Sequence, residues 1–369
     1  MSVYVGTYQG HRNMKKNLAL KNQNVPFMSV ENLLKLVSKI GIENFLSGLA
    51  ESIKQDFGRW HEFEKSPRFA SHSPEGVIEL MPISDGNHFS FKYVNGPNNT
   101  KRGLQTVTAF GVLADVDSGY PILLTEMTVL TALRTAANSA LVAKYLAPSI
   151  ATTLALIGNG AQSEFQALAF KAIVGITKVK LFDTHPGASE KCYQNLQNSD
   201  LIVEICPTAE AAIEGAHIIT TYTADKCNAT ILTDEMIGNG VHINAIGGDC
   251  PGKTELDKNL LLRGDVFIEF EPQTRIEGDI QQLDVNSPVT EFHSVITDHK
   301  NGRVSADQLT IFDGVGFALE DFSALRYLHK MMQQDSDHQM LDLLAKHADP
   351  RNLFGLFCGG NANVLSEAS

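Results

Sequence analysis

The chain has 369 residues, 43% hydrophobic and 20% charged, with a formal net charge of −12 and a pI near 5.4. That length can bury two cores and that balance is globular, while the acidic surplus argues against nucleic acid or an anionic membrane as partner. The five cysteines are odd in number and lack a C-x-x-C pair, and the twelve histidines show no metal-ligand spacing. With neither an apolar leader nor a membrane span visible, the expectation is a metal-free cytoplasmic protein with reduced thiols.

Residues 1–25 are polar, without a sustained period, and read as a tail. From 30 to 57 the apolar positions Leu33, Leu34, Val37, Ile40, Leu46, Leu49 and Ile53 recur at three and four, which predicts helix. Ser29 or Asn32 can cap it, and Gly41 divides it in two. The period changes between 68 and 124. Segments 77–81, 89–94, 106–110 and 122–124 read as strands, punctuated by turn residues at 85–86, 95–99 and 117–119. This predicts an antiparallel region. Arg68 precedes it, and Glu79 and Lys92 sit within its strands. Phe89, Phe91 and Tyr93 share one face, with Ser90, Lys92 and Val94 on the other. The pattern leaves Lys92 open between solvent and a site.

A long helix is predicted over 124–146, capped by Thr125, with Met127, Leu130, Leu133, Ala137 and Leu141 as its apolar stripe. Its other face carries Thr131, Arg134, Thr135 and Asn138. Hydroxyls and an amide around one arginine suit a polar cleft wall, where a guanidinium can grip a carboxylate with two hydrogen bonds. The alternative is a polar contact with another domain, and the cleft is the favoured reading.

An apolar run over 154–157 then stops at Gly158-Asn159-Gly160, and a helical pattern over 162–174 ends at Gly175. Strand, glycine turn and helix start together form a cradle for a pyrophosphate, because a helix N-terminus offers unpaired N–H groups and partial positive charge. The third small position is Ser163, so the fingerprint is G-x-G-x-x-S. The next strand, 179–182, ends at Asp183, about 20 residues on, where an acid can bind the ribose 2′-hydroxyl of NAD and would repel the phosphate of NADP. Short strands and helices alternate from there to residue 312. That predicts a doubly wound parallel sheet, whose ligands bind beyond the carboxyl ends of the strands.

Three of those ends stand out: Thr220 to Thr223, Ile246-Gly247-Gly248-Asp249 leading to Lys253, and Asp313-Gly314-Val315-Gly316. The double glycine would let the backbone approach a flat ring, with Asp249 aimed at the crevice. The alternative for Asp249 is an Asx turn before Pro251. Cys250 beside it reads as a small filler rather than a nucleophile. Residues 317–335 read as a last helix, followed by a polar tail.

Several long segments carry a resemblance. They are Pro74-Glu-Gly-Val-Ile-Glu-Leu-Met-Pro82, Phe91-Lys-Tyr-Val-Asn-Gly96, Gly103-Leu-Gln-Thr-Val-Thr-Ala-Phe-Gly111, Leu124-Thr-Glu-Met-Thr128 with Ala132-Leu-Arg-Thr-Ala136, and Ile157-Gly-Asn-Gly-Ala-Gln-Ser-Glu-Phe-Gln166. Further on come Ile243-Asn-Ala-Ile-Gly-Gly-Asp-Cys-Pro-Gly-Lys-Thr-Glu255, Pro272-Gln-Thr-Arg-Ile-Glu-Gly278 and Glu320-Asp-Phe-Ser-Ala-Leu-Arg326. Over residues 60 to 330 the chain resembles the ornithine cyclodeaminase/mu-crystallin family. The resemblance implies an α/β fold: a Rossmann-type NAD-binding domain over 136–313, and a second α+β domain, 26–135 with 314–369, whose antiparallel sheet serves substrate binding and dimerisation.

The activity it implies is cyclisation of ornithine to proline with loss of ammonia. NAD takes the α-hydride, the terminal amine closes the ring, and the hydride returns, so the net step is a lyase reaction. Arg68, Lys92 and Arg134 would hold the substrate carboxylate region, Glu79 would orient the amines or Lys92, and Val315 would line the pocket. Asp249 would be the general acid/base. The NAD contacts implied or read from the turn are Thr106, Arg134, Gly158, Gly160, Ala161, Gln162, Asp183, Thr223, Ile246, Gly247, Gly248, Asp249, Lys253 and Gly314. Gly314 departs from the serine usual in that motif, so any contact there is through backbone or absent. Lysine cyclodeamination, NAD(P)-dependent ketimine reduction and amino-acid dehydrogenation stay open as related chemistries. A non-catalytic nucleotide carrier of the mu-crystallin kind also stays open, although the set Lys92, Arg134 and Asp249 argues against it. The partners implied are a diamino acid and a second copy of the chain.

Overall fold

A computed structural model describes residues 24–74, 76–96, 103–105, 107–223, 230–334, 337–345, 349 and 351–357. The chain divides into two compact units. In the smaller one, strand β1 (Val25–Met28) pairs antiparallel with a late strand, Gln339–Leu341, with Val25 opposite Leu341. The strand starting at Val25 takes up the end of the segment expected to be tail.

The larger unit, Met28–His338, contains two sheets and the helices that cover them. The expected helical stretch is two helices, α1 (Val30–Ile40) and α2 (Ile42–Gly58). The Ser29 hydroxyl caps the first by accepting from the Asn32 N–H, and Gly41 at φ 85° breaks the pair. An antiparallel sheet follows in the order β6-β5-β4-β3-β2: β2 (Phe69–Ser73), β3 (Gly76–Ser84), β4 (His88–Asn95), β5 (Thr108–Asp115) and β6 (Pro121–Glu126). Strand β2 was not anticipated, because Phe69–Ser73 is short and exposed along its whole length, with Phe69 its one large apolar residue. The sheet's two faces answer the question about Lys92. Ser90 and Lys92 are buried, while Phe89 on the opposite face is exposed. Lys92 therefore belongs to the interior.

Helix α3 (Thr128–Leu146) begins later than expected. Thr125 is not its cap. It lies in β6, and its hydroxyl donates to the backbone carbonyls of Met28 and Glu126. The Glu126 carboxylate does the capping, accepting from the N–H groups of Thr128, Val129 and Leu130 at 2.8, 3.0 and 3.1 Å. Three donors that would otherwise be orphaned converge on one anion at the positive end of a 19-residue helix. Leu130, Leu133, Ala137 and Leu141 from α3 share a core with Phe45, Leu49, Ile53 and Phe57 of α2.

The parallel sheet has eight strands in the order β13-β12-β14-β11-β10-β7-β8-β9. These are β7 (Thr153–Ile157), β8 (Lys178–Phe182), β9 (Ile202–Ile205), β10 (Ile218–Thr221), β11 (His242–Ala245), β12 (Asp265–Ile268), β13 (Thr290–Glu291) and β14 (Thr310–Asp313). The order runs outward from β7 in both directions, so the switch point falls between β7 and β10. Helix α4 (Ser163–Val174) follows β7 and ends at Gly175, left-handed at φ 89°. Between β8 and β9 comes α5 (Pro186–Leu196), and α6 (Ala209–Ile213) precedes β10. Three short helices were not anticipated: α7 (Lys258–Arg263), α8 (Glu271–Glu277) and α9 (Phe292–Ile296). Each spans under two turns, too short to display a period. Helix α10 (Ala318–Met332) runs from the end of β14 into the core shared with α2 and α3. Among the described residues no helix is long and apolar enough to cross a membrane.

Replacing Glu126 with Ala removes a three-donor cap, and we expect a loss of about 1–2 kcal/mol of unfolding free energy, read by urea denaturation. An unchanged midpoint would show that the α3 amide groups find other acceptors.

Candidate active site

The glycine turn lies at the end of β7, against the switch point. Gly158 has φ 93°, and a Cβ there would sit 3.2 Å from the Tyr222 carbonyl oxygen beyond β10, so the turn requires glycine twice over. Above Gly160 the space is open. The Asn159 N–H donates to Asp183 Oδ2 at 2.6 Å, and the His185 N–H donates to Oδ1 at 2.7 Å. The carboxylate expected to meet a ribose is thus locked to the turn expected to meet a pyrophosphate. Ser163, fully buried, donates to the Gly160 carbonyl at 2.7 Å, which explains a small hydroxylated residue at the third position. Ala161 is exposed on the turn, and Gln162 Oε1 is buried without a hydrogen-bond partner among the described residues. A turn with free space, an orphaned buried acceptor and a fixed acid fits a dinucleotide carrying a free 2′-hydroxyl.

The second part of the site is a set of buried charges around the loop after β14. Lys92 is 2% exposed, and its Nζ lies 2.9 Å from Asp321. Arg134 Nε donates to Asp321 Oδ1 at 3.0 Å, and its Nη1 lies 3.3 Å from Glu320 Oε2. Glu320 and Asp321 stand in the first turn of α10, where Glu320 also accepts from the Phe317 N–H. Burial among Lys92's neighbours pushes its ammonium down to about 8, with Asp321 opposing the shift. Burial, then the nearby Glu269, pushes the Glu320 carboxyl up to about 8. That shift weakens Glu320 as a counter-ion, so Asp321, which meets both Lys92 and Arg134, is their main electrostatic partner.

Arg68 grips the same loop from the other side. Its Nη2 donates to the carbonyls of Val315 and Gly316 at 2.8 and 2.7 Å, while the N–H groups of those two residues donate to Glu269 at 3.2 Å each. Gln273 adds a bond to the Gly316 carbonyl at 2.9 Å. Gly316 has φ 75°, and a Cβ on it would come 2.8 Å from Arg134 Nη1, so only glycine lets the guanidinium close in. Arg68 also meets two carboxylates, Glu79 Oε2 at 3.1 Å and Glu277 Oε2 at 3.0 Å. One cation here faces two carboxylates, so ionising both leaves this end one positive charge short.

The third part is the loop after β11. Asp249 is exposed, and its Oδ1 lies 3.3 Å from the buried Lys253 Nζ. The glycines before it have a cause within the protein itself. A Cβ on Gly247 would run into the Glu255 carboxylate, and one on Gly248 would lie 3.1 Å from Asp279 Oδ2. Buried carboxylates occupy the space that the missing side chains leave. Thr223 is tied to the same Glu255 through its N–H and its hydroxyl, at 2.7 and 2.6 Å. Ile246 continues the ladder by donating to the Thr221 carbonyl. At Gly314 a Cβ would meet the Phe312 ring at 2.6 Å, so a serine would clash where the ring now stands. Val315 is 8% exposed. Thr106 lies outside the described residues. Cys192 and Cys206 are buried with their thiols pushed up, Cys192 to about 12, as fillers would be.

The structure therefore brings Arg68, Glu79, Arg134 and Val315 together around one loop, with Lys92 joined through Asp321. Sequence reading missed the partners Glu269, Gln273, Glu277, Glu320 and Asp321. The adjacent acids at the start of an otherwise apolar helix were the one available signal.

The ornithine cyclodeaminase/mu-crystallin family pattern matches residues 30–336. The chain belongs to that family. It is 62% identical over 340 residues to an ornithine cyclodeaminase of Agrobacterium fabrum, covering 92% of this chain and 96% of that one. A structure solved for recognition of L-lysine, L-ornithine and L-2,4-diaminobutyric acid by lysine cyclodeaminase superposes with a TM-score of 0.84 at 28% identity, covering 90% and 99%. An archaeal alanine dehydrogenase dimer with bound NAD superposes with a TM-score of 0.79 at 25% identity, covering 87% and 100%. The α/β fold with its Rossmann-type parallel sheet and an antiparallel sheet is the fold these relatives share.

Asp321→Asn would leave Lys92 and Arg134 without their shared charge in a dry site. A loss of about 3–5 kcal/mol is expected on denaturant unfolding. A loss below about 1 kcal/mol would mean that Glu320 ionises and takes over.

Proposed function

We propose that this chain is an NAD-dependent ornithine cyclodeaminase, turning L-ornithine into L-proline and ammonia. The supporting observation is the 62% identity over nearly the full length of an ornithine cyclodeaminase, and the charge layout agrees with it. An amino acid with a second amine needs a cationic end for its carboxylate and an anionic end for its ammonium groups. The Lys92–Arg134 pair and the Arg68–Glu79–Glu277 cluster supply those two ends.

Residues of the 158–162 turn, Asp183, Thr223, the 246–249 loop, Lys253, Gly314 and, outside the described part, Thr106 would hold NAD. When bound, NAD supplies a hydride acceptor at the substrate's α-carbon and a donor that gives the hydride back. Arg134, fixed by Asp321 and Glu320, would hold the carboxylate with Lys92, and Arg68, at the border between the two ends, would support it from the acidic side. Glu79 would accept from the substrate amines. Asp249 would take and return the α-amino proton, its carboxylate oriented by Lys253. Val315, held on both sides of its peptide by Arg68 and Glu269, would close the pocket against water.

The division into an NAD-binding part, 136–313, and a substrate and pairing part, 26–135 with 314–369, belongs to the same proposal, as does a cytoplasmic location. The pairing surface would be the outer face of the antiparallel sheet. Phe69, Leu80, Tyr93 and Phe110 stand directly opposite one another across β2, β3, β4 and β5. Phe69, Leu80 and Phe110 are 63%, 44% and 41% exposed, an apolar row that a second copy would cover.

Incubated with ornithine and a trace of NAD, the protein should release ammonia and proline in equal amounts while absorbance from NADH stays flat. Accumulating NADH would point to a dehydrogenase, and turnover of lysine alone to the longer substrate. Asp249→Asn should retain NAD and lose turnover by about 10²-fold or more; full activity would remove Asp249 from its role. Leu80→Glu should convert a dimer to a monomer in light scattering, and a dimer that survives would place the interface elsewhere.

A further inference from the structure

Resting on the reading of a diamino-acid substrate, we propose that Glu277 is a specificity-determining residue: with Glu79 across Arg68, its carboxylate receives the terminal ammonium of the substrate. The argument begins with position. Glu277 is the last residue of α8, and it meets Arg68 on the side opposite Glu79. It also lies close enough to Glu79 and Asp249 for both to act on it electrostatically. It therefore sits among three residues placed at the substrate.

The second observation is an unmade bond. Glu277 is 7% exposed, and its Oε2 lies 3.0 Å from Arg68 Nε. Yet neither atom has an aligned hydrogen-bond partner among the described residues. The guanidinium is committed elsewhere, with Nη2 on the Val315 and Gly316 carbonyls and Nη1 on Glu79. A buried carboxylate oxygen thus sits beside a cation without receiving its proton. Such an acceptor is costly unless a donor arrives.

The third is charge. Arg68 compensates one of its two buried carboxylates, so the cluster is one positive charge short whenever both are ionised. Burial pushes the Glu277 carboxyl up to about 7, with Arg68 pulling it down and Glu79 and Asp249 pushing it further up. An ammonium brings both the missing charge and the missing donors. A mono-amino acid of the same length brings neither. The groups facing Glu277 are Arg68 from the segment before β2, Glu79 from β3 and Asp249 from the loop after β11, with Lys253 behind Asp249. Below pH 7 protonation of Glu277 removes the acceptor charge, so the acid limb of kcat/KM for a diamino acid carries its titration.

The test compares wild type, E277Q and E277D, each loaded with NAD. Ornithine serves as substrate, and norvaline, which has the same carbon chain without the terminal amine, as competitive inhibitor. In E277Q the KM for ornithine should rise about 10- to 100-fold while the inhibition constant of norvaline moves less than about threefold. E277D should recover part of the loss, and the acid limb of kcat/KM should shift in both variants. Equal weakening of both ligands would make Glu277 merely structural and overturn the proposal. An unchanged KM for ornithine in an active E277Q would overturn it alone, leaving the proposed activity intact. A wild type inert toward ornithine would sink that activity and this inference together.

Discussion

The backbone of Val315 and Gly316 is the point on which the site depends. Their carbonyls accept from Arg68, and that of Gly316 from Gln273 as well, their N–H groups donate to Glu269, and Gly316 lets Arg134 lie against the backbone. Arg68 and Arg134 both lie against this loop, and Lys92 is joined to Arg134 through Asp321. The loop therefore does more than connect β14 to α10. It sets the distance between a cationic end and an anionic end in a space shared by both.

The cost of that arrangement explains much of the local sequence. Buried ions are expensive, and breaking one partner away costs more than the pair contributes. The chain reduces the cost by neutralising groups as well as by pairing them. Glu269 is pushed up to about 7 by burial, with Asp313 adding to the effect, and Asp313 itself lies well above the usual carboxylate range for the same reason. The glycines follow from this crowding. Gly247, Gly248 and Gly278 each stand where a Cβ would meet a buried carboxylate, that of Glu255, Asp279 and Asp313 respectively. In sequence Gly247 and Gly248 look like ligand-approach glycines. In space they make room for acids.

That contrast shows how far the chain could be read before folding. The strand–turn–helix at 154–174, Gly175 and Asp183 were legible because the chemistry is local: a left-handed cap, a tight turn and a fixed spacing. The doubly wound order followed from the alternation of strand and helix. The ion pairs were not legible. Lys92 and Asp321 are 229 positions apart, and no periodicity joins them. Strand β4 showed which residues share a face, but not which face is inside, because a sheet with apolar residues on both faces presents alternation without direction. The α3 cap was misplaced for a related reason. Thr125 has the right chemistry, but β6 runs through it, and Glu126 lies one residue nearer the free amide groups.

The raised carboxyls have a consequence for pH that separates stability from activity. Glu269 and Asp279 titrate near 7 and Glu320 near 8 in the fold, well above their unfolded values. A group raised in this way binds its proton more tightly folded than unfolded. Its contribution is therefore fully present below the unfolded value, and it is lost as pH rises through 7 to 8. The proposed reaction faces the opposite demand, because in it the substrate's amine would lose protons and Asp249 would accept one. The buried acids thus give up stability as the solution becomes favourable for that chemistry. Asp249, exposed and beside Lys253, stands outside this buried set.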